Sequence, residues 1–440
     1  MKSPSLLLSA VTTSRAILLA IAGLLLSAAR IAPSQEKVIH SFNYAQGADP
    51  ANELIIDSKG NLYGTTRAGG THSRGEVFEL VHESNGSRTF KILYDFGGIL
   101  PNDKLDGDQP RAALIRDAQG NFYGTTYGGG KHGTVFELSE SNGNWTEKVL
   151  YSFDGGSTDG MEPIGEVVRD AAGHLYGTTY LGGKYDGGTV FELTPKSTGE
   201  WTEKILYSFH PGAEGYWPQG RLTMDAKGHL YGATTFGGPN DGSGTIFELT
   251  KNGATWTKKT IYSPGTTGGP SFFYAGVILD AKGNLYGTSA LGGQHQGQSC
   301  SCGTVFELTP GPNSTWKEKV LHSFSLAKTD GNEPYSGLTF DSKGNLYGTT
   351  QRGGAYGKGT VFELSPAAGG KWTEKLLASL GKNDADGSAP TAGVARDAAG
   401  NVFGTTTTGG GDNEGAVFEV VHPKTAAAPE DSSDDPGPQP

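Results

Sequence analysis

The sequence predicts an all-β fold, a seven-bladed β-propeller with four strands in each blade. Seven copies of a DxxGNLYGTT motif recur 53 to 61 residues apart, a spacing that suits a propeller blade. Each copy contains four short runs rich in valine, leucine, tyrosine, phenylalanine and threonine, bounded by turn residues. The anchoring glycines are Gly60, Gly120, Gly173, Gly228, Gly283, Gly344 and Gly400.

The third copy illustrates the strands of one blade. We predict strand A at 166–169, strand B at 174–179, strand C at 189–193 and strand D at 202–209. Glycine, aspartate and proline separate these runs, as expected of turns. Four such strands make up one blade of a β-propeller.

The two ends of the repeat region complement each other. The last copy reaches its strand C at 416–420 and has no strand D after it. The missing segment stands at the other end, where EKVIHSF at 36–42 matches EKVLYSF at 147–153. An N-terminal strand that completes the C-terminal blade would remove the exposed edges of an open array. The sequence therefore predicts a closed ring.

The ends outside the ring have different compositions. Residues 1–29 carry Lys2 and Arg15, an apolar run at 16–26 and small residues at 27–29, which is typical of a signal peptide. The alternative is an uncleaved anchor, but the run is shorter than the roughly 18 residues that span a bilayer. We predict a linker at 30–35, the propeller at 36–421 and a disordered acidic, proline-rich tail at 422–440.

Composition narrows the function classes. The formal net charge of −11 argues against a nucleic-acid-binding protein. Glycine makes up 70 of 440 residues without a three-residue period, which indicates many tight turns. We expect a monomer that is secreted to the periplasm or beyond and has no stable membrane insertion.

Two cysteines occur, Cys300 and Cys302, in the sequence QSCSCGT. On an extended chain, two residues so close in sequence sit near the upper limit of the Cα separation of a disulfide, so a bridge requires a local turn. Export to an oxidising compartment favours such a bridge. Metal binding by the two thiolates is the alternative, although no matched set of further histidine or cysteine ligands accompanies them.

Charged residues that recur in every copy are interpreted as scaffold. The aspartate three residues before the anchoring glycine fits a hairpin turn, and too few oxygen ligands surround it for calcium. Strand C carries a glutamate and strand D a lysine in all seven copies, which predicts cross-strand pairs. These pairs combine Glu79, Glu137, Glu192, Glu248, Glu307, Glu363 and Glu419 with Lys91, Lys148, Lys204, Lys259, Lys319, Lys375 and Lys37.

Ligand binding is predicted at the loops that join strands B and C. A fixed GG is followed there by residues that differ in every copy, and variable loops on a rigid scaffold commonly carry binding. The residues at the start of these loops would rim a central opening, or would simply cover the blade ends. The candidates are Arg67, Tyr127, Tyr180, Phe236 and Gln351.

Signatures of catalysis are absent from the sequence. It contains neither GxSxG nor HExxH, and we predict no catalytic residue, no metal and no cofactor. A propeller enzyme can still assemble its site from single residues of several blades. Arg116, Arg169 and Arg396, just before the hairpin aspartates, are the candidates for such a site at the axis.

The motif DxxGNLYGTTxxGGxxxxGTVFEL resembles the GloVer tandem repeat of choice-of-anchor proteins, a family of bacterial surface or secreted repeat proteins. The resemblance covers 36–421 and implies an extracellular location, without an activity or catalytic residues. We therefore predict a noncatalytic scaffold that binds a polysaccharide or a surface protein. The alternatives are a secreted hydrolase, lyase or lactonase with a central site, and a structural protein of the cell envelope.

Overall fold

The computed structural model describes residues 36–99, 105–238, 242–265, 269–293 and 300–422. Within these residues the chain forms seven antiparallel four-stranded sheets, the blades of a β-propeller, as the repeat predicts. The predicted signal peptide at 1–29, the linker at 30–35 and all of the predicted tail except His422 lie outside the described residues.

Strands A to D run from the inside of each blade to its outside. Strands A are Ile55–Ile56, Ile115–Arg116, Val168–Arg169, Thr223–Met224, Ile278–Leu279, Thr339–Phe340 and Ala395–Arg396. Strands B are Leu62–Thr66, Phe122–Thr126, Leu175–Thr179, Leu230–Thr234, Leu285–Ser289, Leu346–Thr350 and Val402–Thr406. Strands C are Glu76–His82, Thr134–Ser141, Thr189–Pro195, Thr245–Asn252, Thr304–Pro310, Thr360–Ala367 and Ala416–Val420. Strands D of blades 1 to 6 are Arg88–Asp95, Asn144–Ser152, Trp201–Ser208, Thr255–Tyr262, Trp316–Ser323 and Lys371–Ser379.

Blade 7 takes its strand D from the start of the propeller. Glu36–Ser41 pairs antiparallel with Ala416–Val420, with Glu36 opposite Val420 and Ser41 opposite Ala416. Phe42, which the sequence placed in this strand, lies just beyond it and is fully buried between blades 7 and 1. The predicted closure of the ring is confirmed.

Short segments complete the described secondary structure. The loops between strands D and A (D–A loops) and those between strands B and C (B–C loops) share one side of the ring, which we call the loop face. Small strand pairs join these two kinds of loop: Leu105–Asp108 with Gly128–Gly130, Gly160–Met161 with Leu181–Gly182, Gly331–Asn332 with Arg352–Gly353, and Gly387–Ser388 with Thr408–Gly409. The 3₁₀ helices are Tyr44–Gln46, Pro312–Ser314 and Ala368–Gly370. In this part of the chain, no helix has the length and apolar character required to cross a membrane.

The hydrophobic core lies between the blades. Seven clusters of buried side chains are present in the described residues, one at each junction of neighbouring blades. Strand B is buried along its whole length because a blade covers each of its faces. A Cβ atom on its central Gly64 would lie 2.6 Å from the ring of Phe78, so the glycine of LYGTT allows strand C to pack closely.

The hairpin aspartates form turns, as predicted. In blade 1, Asp57 Oδ1 accepts hydrogen bonds from the backbone N–H groups of Lys59 and Asn61, each at 2.9 Å. The Tyr63 hydroxyl lies between Asp57 Oδ2 at 3.1 Å and Glu79 Oε1 at 3.0 Å. The repeated glutamate of strand C is therefore tied to the hairpin through a tyrosine.

The predicted glutamate–lysine pairs have the right register but mostly the wrong contact. Glu248 stands opposite Lys259, and the other six pairs are aligned in the same way. Of these seven glutamate–lysine pairs, all within the described residues, only Glu79 and Lys91 form an ion pair, at 3.9 Å. Lys148 instead donates to the carbonyl of Gly199 in the next blade, at 2.8 Å. Interaction between blades thus replaces most of the expected ion pairs within a blade.

Strand A of the third blade begins at Val168, so Glu166, which was predicted inside it, precedes the strand.

Cys300 and Cys302 are joined by a disulfide with their Cα atoms 5.3 Å apart, which lies within the usual range.

Candidate functional site

One residue of each D–A loop has a left-handed backbone and connects neighbouring blades. The N–H of Trp217 donates to the carbonyl of Gly187 in blade 3 at 2.8 Å, and its own carbonyl accepts from Thr235 in blade 4 at 3.2 Å. The equivalent residues make the same two bonds, which fixes the rim of the loop face. With φ between 55° and 59°, they are Asp49, Gln109, Glu162, Trp217, Phe272, Glu333 and Ala389.

Aromatic rings form an arc on this rim across blades 3 to 5. Trp217 lies between the rings of Tyr180 at 5.2 Å and Phe236 at 5.3 Å, measured between centroids. Phe236 continues to Phe272 at 5.6 Å, and Tyr216 contacts Trp217 at 5.1 Å. All five rings are partly exposed. We call these residues, Tyr180, Tyr216, Trp217, Phe236 and Phe272, the aromatic arc.

Predicted residues in blades 1 and 2 extend the arc with charged groups. The Arg111 guanidinium lies 3.9 Å from the centroid of the Tyr127 ring. Burial, and then the neighbouring carboxylate of Glu162, raise the pKa of Tyr127. Arg67 forms an ion pair with Asp49.

Gln351 and Phe236 differ in their place relative to the arc, although the N–H of Gln351 makes the same rim bond, to Glu333, that Tyr180 makes to Glu162. Gln351 lies away from the arc, in a separate cavity of about 320 Å³ that it lines with Lys358 and Thr408. Phe236 is one position further along its loop than Tyr180, because Thr235 makes the backbone bond that Tyr180 makes in blade 3. The structure therefore brings Tyr180 and Phe236 together through Trp217 and places Gln351 elsewhere.

A central channel opens below the rim, and all seven blades line it. Its upper cavity has a volume of about 140 Å³. In six blades a proline, the loop proline, follows the left-handed residue of the D–A loop, and blade 5 has Phe273 there. The wall consists of the residues between this position and strand A. At the deepest of these positions the blades contribute Glu53, Ala113, Glu166, Arg221, Gly276, Gly337 and Gly393.

Three charged side chains meet in the channel. Arg221 Nη1 lies 3.9 Å from Glu53 Oε2 and 3.9 Å from Glu166 Oε2. Both distances exceed the roughly 3.2 Å limit of a good hydrogen bond. The side chains keep 30%, 22% and 18% of their surfaces exposed, in the order Arg221, Glu53, Glu166. We call these residues the channel triad.

Burial determines the protonation of the channel triad. Burial raises the pKa of Glu166 to about 7, against the opposing effect of Arg221 and with a smaller contribution from Glu53. Burial also raises the pKa of Glu53, which Arg221 and a hydrogen bond from Thr339 oppose. Glu166 can therefore gain or lose a proton near neutral pH.

The opposite wall of the channel has no side chain at the position that carries the charged residues of the triad. Glycines occupy the deepest position in blades 5, 6 and 7. A Cβ atom on Gly393 would lie 2.7 Å from Glu53 Oε2, whereas one on Gly337 would meet nothing within 4 Å. Glycine thus leaves room for the charged side chains and keeps open space beside them.

The arginines predicted for a site at the axis do not belong to the upper cavity. Arg116 and Arg169 line a second cavity of about 360 Å³, which also includes Glu166 and Arg221. Arg116 also lies 3.6 Å from Asp57 of the preceding blade. Arg396 lies over the ring of Tyr347, 4.0 Å from its centroid. Each of these arginines contacts a neighbouring blade.

Comparison with known proteins identifies the repeat. A model of the Gloeobacter/Verrucomicrobia repeat matches residues 26–199, 131–311 and 274–429. The chain belongs to this family. No curated protein matches its sequence.

Solved structures similar to this Gloeobacter/Verrucomicrobia repeat protein have little sequence in common with it. One is a putative 6-phosphogluconolactonase from Bacteroides uniformis, with 12% identity and a TM-score of 0.47, covering 75% of this chain and 87% of that one. Another is a protein of unknown function from Dyadobacter fermentans, with 12% identity and a TM-score of 0.41, covering 78% of this chain and 96% of that one.

Sequence reasoning missed the channel triad in this repeat protein, although a signal was present. The position three residues after the loop proline, or after Phe273 in blade 5, holds glycine or alanine in four copies and a charged residue in the other three. Trp217 and Phe272 also stand at a position that differs in nearly every copy. Departures from the repeat, rather than the repeat itself, mark the site.

Proposed function

We propose that this protein is a secreted, noncatalytic scaffold that binds a carbohydrate polymer on its loop face. The aromatic arc carries the proposal, because a row of partly exposed aromatic rings offers apolar surface to the faces of sugar rings. Charged and polar groups beside it, including Arg111 and Glu162, can hydrogen-bond to hydroxyl groups. The arc spans three blades, so it can contact more than one sugar unit.

Binding of the full chain to a polysaccharide panel tests this function. Trp217→Ala should weaken binding at least about ten-fold, since a central aromatic anchor commonly contributes most of the affinity. Tyr356→Ala is the control, because Tyr356 is 45% exposed on a B–C loop of blade 6, outside the arc. Equal affinity of the Trp217 variant and the parent would contradict the proposal. Capture of a surface protein through Trp217, with no glycan bound, would favour the protein-binding alternative.

Secretion has a separate test. The signal-peptide pattern at the N-terminus supports processing near residue 30. The protein isolated from its native host should begin near that residue and occur in the periplasm or outside the cell. An intact N-terminus on a cytoplasmic protein would contradict secretion.

A second candidate is a secreted carbohydrate-active enzyme, and the channel triad favours it. Glu166 has a pKa near neutrality and could exchange protons with a bound sugar. Product analysis after incubation with the same panel distinguishes the two functions. Turnover that Glu166→Gln abolishes would establish the enzyme, and binding without products supports the scaffold.

A further inference from the structure

Arg221 presents unused hydrogen-bond donors to the channel. Its guanidinium has no hydrogen-bond partner among the described residues, and its contacts with the two glutamates are too long to be hydrogen bonds. A guanidinium carries five N–H donors in a planar fork that matches a carboxylate. On the opposite wall of the channel, the open space beside Gly337 leaves room for a ligand.

We infer that Arg221 binds the carboxylate of an acidic sugar, such as a uronic acid, that enters the channel from the loop face. The inference rests on the proposed function, since it names the class of sugar that binds at the aromatic arc and in the channel below it. The upper cavity of about 140 Å³ is smaller than the roughly 300–1,000 Å³ of a drug-sized site, so it suits one terminal unit. The rest of the polymer would lie along the aromatic arc.

A bound metal cation fits the channel triad less well than an anion. Two carboxylates would attract a cation, but the Arg221 guanidinium already lies close to both. An incoming carboxylate would instead form charge-assisted, bidentate hydrogen bonds with the guanidinium. Glu53 and Glu166 hold Arg221 in place and offset its charge while the site is empty.

Binding of an anion should be coupled to uptake of a proton. A carboxylate next to Glu166 adds negative charge and raises the pKa of Glu166 above its value in the empty channel. Affinity should therefore be highest below pH about 7, and should fall as pH rises through the pKa of Glu166 in the complex. The other titratable groups that line the channel and the adjoining cavity are Glu53, Arg111, Tyr274, Tyr335, Arg116 and Arg169.

Calorimetry with matched sugars tests the inference. The full chain is titrated with uronate oligosaccharides from pectin, alginate and hyaluronan, and with their carboxyl-reduced forms. At least one acidic oligosaccharide should bind about 10- to 100-fold more tightly than its reduced form, with net proton uptake at pH 7. Equal affinity of every acidic and reduced pair, or binding that requires calcium, would overturn the inference.

Four variants locate the effect. Arg221→Gln should remove the preference for the acidic form, and Arg221→Lys should keep part of it, because lysine retains the charge without the fork. Glu166→Gln should bind at every pH with little proton uptake. Gly337→Leu should block the channel and leave the fold intact, since a Cβ atom there meets nothing within 4 Å.

The outcomes separate this inference from the proposed function. Loss of all binding in Trp217→Ala, with the acid preference unchanged in both Arg221 variants, would support the scaffold and refute the role of Arg221. Glycan binding that survives Trp217→Ala but loses acid preference in Arg221→Gln would refute the arc and support the channel. Thermal unfolding of each variant checks that it is folded.

Discussion

The left-handed residue of each D–A loop joins two blades through its backbone, so its side chain has no part in that contact. The residue bonds through its N–H and its carbonyl, and its side chain is free to vary from Ala389 to Trp217. In six of the seven copies a proline follows it, which makes this conformation still less common. The geometry is retained because it joins the blades.

Ala389→Gly should stabilise the protein. Alanine at φ 55° is strained, and glycine relieves that strain at some entropic cost, so we expect a gain of up to about 1 kcal/mol in the free energy of unfolding. Denaturant unfolding measures it. Ala395→Gly is the control, because Ala395 is buried in strand A and its replacement should destabilise. A loss of stability in both variants would show that strain at Ala389 is negligible.

Residues of the site were the hardest to predict from sequence. Tyr127, Tyr180 and Phe236 were predicted as candidates because they are aromatic and stand beside loops of variable sequence. Glu53, Glu166 and Arg221 belong to three different blades, are far apart in sequence, and meet only through the arrangement of the blades around the channel. No local pattern records which non-repeating residues face each other across a channel.

At the scale of the element, strand D makes contacts both inside and between blades. Its lysine extends beyond its own sheet, as when Lys204 Nζ donates to the Ala254 carbonyl in the next blade at 3.2 Å. Its tryptophan packs on the preceding blade, with the ring of Trp256 6.3 Å from that of Tyr176. The sequence predicted this strand correctly in position but assigned its lysine to an ion pair within the blade.

Lys204→Met should reduce the free energy of unfolding by about 0.5–1.5 kcal/mol, the usual net contribution of one hydrogen bond. Methionine keeps the aliphatic contact and removes the donor to Ala254. Lys196→Met serves as the matched control, since the ion pair of Lys196 in the described part of the chain is with the exposed Glu200 of its own hairpin. Equal effects of the two changes in chemical denaturation would argue against the contact between blades.

Deletion of residues 36–42 should be far more damaging than deletion of 423–440. The first removes strand D of blade 7 and the buried Phe42, whereas the second removes none of the contacts described. We expect the shortened N-terminus to expose an unpaired strand and to lower the unfolding temperature by many degrees. Calorimetry of both truncations measures the difference, and equal tolerance would contradict closure by this strand.

At the scale of the whole molecule, carboxyl groups face each other repeatedly on the loop side. A glutamate of strand D stands near the aspartate of a D–A loop in four blades. Burial, followed by the neighbouring aspartate, raises the pKa to about 8 in Glu36, Glu147 and Glu203. In blade 4 a lysine, Lys258, takes the place of this glutamate, and the pKa of Lys258 is lowered to about 8, mainly by burial.

Stability should therefore fall as pH rises from 6.5 to 8, and Lys258 opposes any further fall above pH 8 because its pKa is lower in the folded than in the unfolded chain. A glutamate whose pKa is near 8 in the folded state and 4.5 when unfolded binds more protons when folded, so its contribution is complete below 4.5 and lost through about 8. Burial lowers the pKa of His40 to about 4, so it acts in the opposite direction only below 6.5. Thermal unfolding across this range measures the trend.

Glutamine at positions 147 and 203 should flatten this pH dependence, because it resembles the protonated carboxyl group. Glu147→Gln with Glu203→Gln is compared with Glu200→Gln, which changes an exposed side chain. A slope that the double variant leaves unchanged would show that these glutamates are ionised in the folded protein.

The closing strand also determines the order in which the ring can form. Glu36–Ser41 is synthesised before any blade, yet its only sheet partner, Ala416–Val420, is among the last segments made. Six blades can form from their own four strands during synthesis, whereas this first strand has no partner until Ala416–Val420 has been made. A chain still on the ribosome therefore cannot close the ring before translation of the propeller is complete.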